Sequence, residues 1–235
     1  MPRSPTARLP LGSAKPRIPS LMMRVWDAPT RIFHWAIVAL VAFSYLSVEK
    51  SWMQLHFLSG YAILALLVFR VAWGLVGSDT ARFSRFLRSP FEALRHLAHM
   101  TRREPDTEIG HNAAGGWMVL VMLAALFAQV GTGLFSNDDV ATQGPLRHHI
   151  DKAASDAMTS LHGTIFYVIL GLIGLHILAI AAYALLKRHD LVRPMVTGRK
   201  RLPATMQQPR FSSPLLAILL FCVSAGAVWA LVSFG

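Results

Sequence analysis

Five stretches of this chain are apolar for long enough to cross a bilayer, and the segments between them are polar. Covering a hydrocarbon core of about 30 Å takes roughly 20 mainly apolar residues. The stretches are residues 31–48, 55–76, 115–135, 161–186 and 214–234. The first is short, but Asp27 can cap a helix that starts upstream, with Pro29 in its first turn. A further helix is predicted between spans two and three. Ser89 and Glu92 form an S-x-x-E capping box, with Pro90 at the first helical position. Phe91, Leu94 and Leu97 then recur at three-residue spacing, opposite Arg95, His96, His99, Arg102 and Arg103. That pattern predicts an amphipathic helix lying on the membrane surface, or a docking face for a cytoplasmic partner.

Composition fits this picture. The 235 residues are 54% hydrophobic and only 15% charged, which excludes an ordinary soluble domain. The net charge of +11 raises nucleic acid as a partner, but the placement of the basic residues excludes it. Of 23 Lys and Arg, six lie in the tail up to Arg31, seven in 70–103 and seven in 187–210. Only Lys50, Arg147 and Lys152 fall on the opposite side. By the positive-inside rule the N-terminus is cytoplasmic and the C-terminus periplasmic. Residues 1–23 are basic and proline-rich, without the apolar run of a signal peptide, and read as a disordered cytoplasmic tail. Cys222 is the single cysteine, and no C-x-x-C-H run exists, so no thioether-linked haem is expected.

Four of the ten histidines fall inside spans: His34, His56, His162 and His176. An ionisable group in hydrocarbon is costly and is a functional candidate, the alternative being a cross-helix hydrogen bond that serves packing. His162 and His176 are 14 residues apart, on one helical face to within roughly 40° and about 21 Å apart in depth. Span direction then pairs His56 with His162 near the outer surface and His34 with His176 toward the cytoplasm. Two such pairs suit bis-histidine ligation of two stacked, non-covalently held b-type haems. A four-ligand zinc or copper site fits worse, because the pairs lie at different depths. Arg70 follows His56 by 14 residues and reaches the depth of the inner pair. There it either meets a haem propionate or snorkels to the interface.

The stretch Arg24-Val-Trp-Asp-Ala-Pro-Thr-Arg-Ile-Phe-His34-Trp35 resembles the opening of bacterial cytochrome b561 and nickel-iron hydrogenase b-type cytochrome proteins. So do His56, Gly60-Tyr61 and Phe69-Arg70-Val-Ala-Trp-Gly74 of span two, and His111-Asn-Ala-Ala-Gly115-Gly116-Trp117 before span three. His176 and the run His189-Asp-Leu-Val-Arg-Pro-Met-Val-Thr-Gly198 complete the similarity. The resemblance implies an all-α integral membrane four-helix haem-binding bundle in the bacterial inner membrane. It further implies electron exchange between quinone and a periplasmic partner, either a c-type cytochrome or a dehydrogenase or hydrogenase subunit. It gives the ligand roles to His34, His56, His162 and His176. Gly163 stands where hydrogenase-type members often carry an acidic residue, and the fifth span lies beyond the four-helix plan.

The expected organisation is a tail over 1–23, a four-helix di-haem cytochrome b domain over 24–201, and a linker with a fifth transmembrane helix over 202–235. The expected function is an electron-transfer subunit of an oxidoreductase rather than a stand-alone enzyme, with the lipid bilayer and quinone as partners. Two other readings stand beside it: a superoxide:quinone oxidoreductase of the same fold, and a haem-free membrane scaffold or transporter.

Overall fold

The computed structural model describes residues 19–99 and 107–234. The structure has five helices long and apolar enough to span a membrane: α1 (Ala28–Glu49), α2 (Met53–Val76), α5 (Ala113–Leu134), α6 (Lys152–Ala182) and α8 (Pro214–Phe234). Two short helices, α3 (Phe83–Phe86) and α4 (Pro90–Ala98), lie between α2 and α5, and α7 (Val192–Thr197) follows α6.

Local chemistry explains where the helices begin. Asp27 caps α1, its Oδ1 accepting from the Thr30 amide at 2.7 Å. Its Oδ2 accepts from Trp73 Nε1 of α2 at 3.0 Å, so one buried carboxylate both starts α1 and ties it to α2. Ser89 caps α4, accepting from the Glu92 amide at 3.2 Å. Asn112 and Asp151 cap α5 and α6 in the same way.

Helix α6 begins at Lys152, well before the expected Leu161, because Asp151 starts it in a polar segment that a hydropathy window omits. Its 31 residues reach about 46 Å, longer than a hydrocarbon core of about 30 Å. Its first turns therefore extend beyond the hydrocarbon, where Ser155 Oγ donates to the Phe135 carbonyl at 2.8 Å.

Residues 20–23, expected within the disordered tail, instead form part of β1 (Ser20–Arg24), which pairs antiparallel with β2 (Arg199–Pro203). Residues 1–18 lie outside the described residues, as do Arg102 and Arg103 of the expected amphipathic face. The strand forms because α7 ends at Gly198, whose φ of +77° turns the chain back along the start of the molecule. The Gly198 carbonyl accepts from the amides of Val25 (2.8 Å) and Trp26 (3.2 Å). Arg31 Nη1 donates to the Val196 carbonyl at 2.6 Å, and Val25, Trp26 and Leu202 are buried beneath the ribbon. This clasp fixes the end of α6 to the beginning of α1.

The core runs along α2, the most buried span, with Leu67 and Trp73 fully enclosed. Helix α1 packs along α2, α5 along α6, and α8 along the other side of α2. Helices α1 and α6 do not pack backbone on backbone; side chains meet across the space between them.

Candidate cofactor-binding site

The structure brings together the two histidine pairs expected from spacing. His34 of α1 and His176 of α6 have ring centroids 6.4 Å apart. His56 of α2 and His162 of α6 have centroids 6.1 Å apart. No hydrogen bond joins the rings within either pair; His56 and His162 instead bond across helices to Ser44 of α1 and Gln129 of α5, and His34 Nδ1 has no partner. Two metal–imidazole bonds of about 2 Å, with about 1.1 Å from each nitrogen to its ring centre, place such centroids roughly 6.3 Å apart. Both gaps have the width that one metal ion between two imidazoles requires. Among the described residues no three His, Cys, Asp or Glu side chains converge. A metal at either level would take its other ligands from a non-protein group, and a porphyrin supplies four.

The outer pair is held for this role. His162 Nδ1 lies 2.8 Å from the Gln129 carbonyl, and His56 Nδ1 lies 3.1 Å from the Ser44 carbonyl. A proton on Nδ1 satisfies each carbonyl and leaves Nε2 as the ring's acceptor; at His162 that lone pair faces the Gln129 side-chain amide, which a metal would displace. The Gln129 amide lies 3.1 Å from His162 Nε2. Gly133 explains how the His162 ring sits so close to α5, since a Cβ there would meet His162 Cε1 at 2.9 Å. On α2 and α6, a Cβ at Gly60, Gly171 or Gly174 would meet nothing within 4 Å.

At the inner pair, His34 Nδ1 is buried without a hydrogen-bond partner. Trp35 packs edge-on against His34 at 4.9 Å, and its Nε1 donates to the Met195 carbonyl of α7 at 3.3 Å. The clasp thereby steadies the inner pair. Arg70 is only 2% exposed, so its guanidinium does not reach the surface as a snorkelling arginine would. It lies over Phe83 (5.0 Å) and Phe33 (6.0 Å) and donates once, from Nη1 to the Ala81 carbonyl at 3.2 Å. That leaves most of its five N–H donors for another acceptor.

Sequence reasoning placed His111 among loop or interface histidines. In the structure its ring is held between Trp26 and Phe86, both at 4.7 Å, with Nδ1 buried and unpartnered. Burial pushes its pKa from 6.5 down to about 3, and the positive charge of Arg70 adds to the effect. Gln129 was missed too, although a lone amide in an apolar span is itself a signal. Ser44 gave none, because its contribution is a backbone carbonyl.

Charges in the segment between α5 and α6 and in the first turns of α6 pair with one another. Lys152 Nζ pairs with Asp139 at 2.7 Å and with Asp156 at 2.9 Å. Asp138 accepts from the amides of Val140, Ala141 and Thr142, and these bonds, led by Thr142, hold its carboxyl well below the usual range.

Five apolar spans enclose two imidazole pairs at metal-bridging distance, and the family profile of prokaryotic cytochrome b561 matches residues 25–198. The chain belongs to the prokaryotic cytochrome b561 family. It is accordingly a multi-pass bacterial membrane protein, a b-type cytochrome that works in electron transfer and binds b-type haem. The match covers α1 to α7 and stops before α8. No curated protein and no solved structure matched the chain.

Proposed function

We propose that this cytochrome holds two b-type haems, one between His34 and His176 and one between His56 and His162. Through them it moves electrons between a periplasmic redox partner and the quinone pool. The observation that carries this reading is the presence of two imidazole pairs of bridging width that each draw one ring from α6, where His162 and His176 lie about 21 Å apart along the helix. The haems supply the one-electron couple. His34 with His176, and His56 with His162, would hold the haems, and the Gln129 and Ser44 carbonyls would fix the rings of the second pair. Arg70, buried at the inner level, offers its spare N–H donors to a propionate. The positive-inside distribution supports an orientation with the inner pair on the cytoplasmic side, the N-terminus cytoplasmic and the C-terminus periplasmic. The paired state of Lys152 leaves little free positive field to steer superoxide, which weighs for electron transfer from a protein partner.

Haem stoichiometry tests the assignment. The purified protein is expected to hold two haems per chain and to titrate with two midpoint potentials. His162→Ala and His176→Ala should each remove one component and spare the other. One haem in the unaltered protein, or loss of the same component in both variants, would refute it.

A further inference from the structure

A cavity of about 570 Å³ opens on the His34–His176 side of the bundle, between α4, the residues leading into α5, and the end of α6. Arg88, Arg95, His96, His99 and Lys187 line it. Of the carboxylates that share the wall, Asp79 is already engaged. It accepts from the Arg210 amide at 3.0 Å and has Arg82 and Arg85 at 3.9 Å. Glu92 and Glu108 share the wall with Arg85, Arg88, Arg95 and Lys187 and with the imidazoles of His96, His99 and His111.

Lys187 is the feature that ordinary packing does not explain. Helix α6 ends in one wide turn, Tyr183–Lys187, with i→i+5 geometry. In that turn Tyr183 and Lys187 are buried, while Leu185 and Leu186 point outward. An ammonium has been turned inward and leucines outward, the reverse of what water alone would select. Lys187 is 8% exposed, and among the described residues its ammonium lies 5.9 Å from the Tyr183 ring and forms no ion pair. The ring beneath it is fixed, because the Tyr183 hydroxyl meets His96 Nε2 at 2.6 Å and accepts from Asn112 at 2.8 Å. The site is thus a rigid wall carrying a buried cation that has no anionic partner among the described residues.

Its flanks identify the anion. On α4, Phe91 and Leu94 are 71% and 66% exposed, and Leu185 of the wide turn is 76% exposed. A basic cavity bordered by outward-facing apolar side chains matches a molecule with a phosphate head and acyl chains. We propose that this cavity binds the phosphate of an anionic phospholipid, coordinated by Lys187, Arg95 and Arg88, with the acyl chains lying across α4 and the wide turn.

The test uses the haem-loaded protein in nanodiscs of phosphatidylcholine doped with phosphatidylglycerol, read by native mass spectrometry after detergent release. The unaltered chain should retain one phosphatidylglycerol. The double variant Lys187→Gln/Arg95→Gln should retain it about 30-fold less, at roughly fivefold per basic residue removed. Lys187→Arg/Arg95→Lys should restore retention. If the double variant does not fold, the surface change Arg95→Gln alone should still lower retention about fivefold. Equal retention in all variants overturns the proposal. So does displacement of the lipid by millimolar inorganic phosphate, which would make free phosphate the ligand. Loss of haem with unchanged lipid retention overturns it as well, since the cations would then serve a propionate.

Discussion

At the scale of single residues, the outer pair depends on one missing methyl group. The His162 ring lies where a Cβ on Gly133 would be, at 2.9 Å from Cε1, a contact too close to be absorbed without moving the ring. Gly133→Ala should displace His162, weaken or remove the outer haem, and leave the inner one in place. Redox titration of the purified variant checks this, and two unchanged components would contradict it. His111 carries a pH dependence whose sign follows from its depressed pKa of about 3. The folded state prefers the neutral ring, so this contribution is complete above the unfolded value of 6.5 and is lost as pH falls toward 3. The slope is at most about 1.4 kcal/mol per pH unit, or about 2 kcal/mol by pH 5. The thermal midpoint should therefore drop between pH 7.5 and 5, and His111→Gln should flatten the drop; parallel slopes would exclude His111 as the source. The four span histidines were legible because charge-bearing rings stand out in an apolar run. His111 was not, since what encloses it comes from Trp26 and Phe86, on segments remote in the chain.

At the scale of elements, the spans were legible in proportion to how far hydropathy alone determines them. α1, α2, α5 and α8 begin within a few residues of the expected positions, because caps and apolar runs coincide there. α6 differs, because Asp151 starts it among polar residues outside the bilayer. α4 was readable from its capping box. The β1–β2 clasp was not, since neither strand alternates strongly and each forms only against the other. The tie between α1 and α2 yields a test. Asp27→Ala removes the α1 cap and strands the buried Trp73 N–H, at about 1 kcal/mol for the cap and about 1–3 for the donor. Trp73→Phe removes the same bond from the other side. In a double-mutant cycle under mild denaturation in detergent, the two changes should fall short of additivity by about 1 kcal/mol or more. Full additivity would mean that the bond at 3.0 Å does not contribute.

At the scale of the whole molecule, the chain divides into a part that builds the imidazole pairs and a part that covers one flank. Every histidine of the pairs, the carbonyls that orient the outer pair and the clasp lie within β1 to β2. The α8 helix adds none of these. Its Ala217, Ser224 and Val228 bury against the bundle, and Phe221 meets Phe69 of α2 at 6.1 Å. Arg210 and Ser212 bond back to Asp79 and Ser78 just beyond α2, fixing where α8 enters. Helix α8 therefore acts on the bundle through α2 without supplying a residue of the pairs, and its loss should affect stability before chemistry. A chain ending after residue 208 is expected to keep two haem components with near-unchanged potentials while its unfolding midpoint in detergent falls. If the truncated chain instead loses the inner component selectively, then the packing of α8 on Phe69 and Trp73 sets the position of Arg70 on the same helix. The fifth helix would then belong to the redox centre rather than to its support.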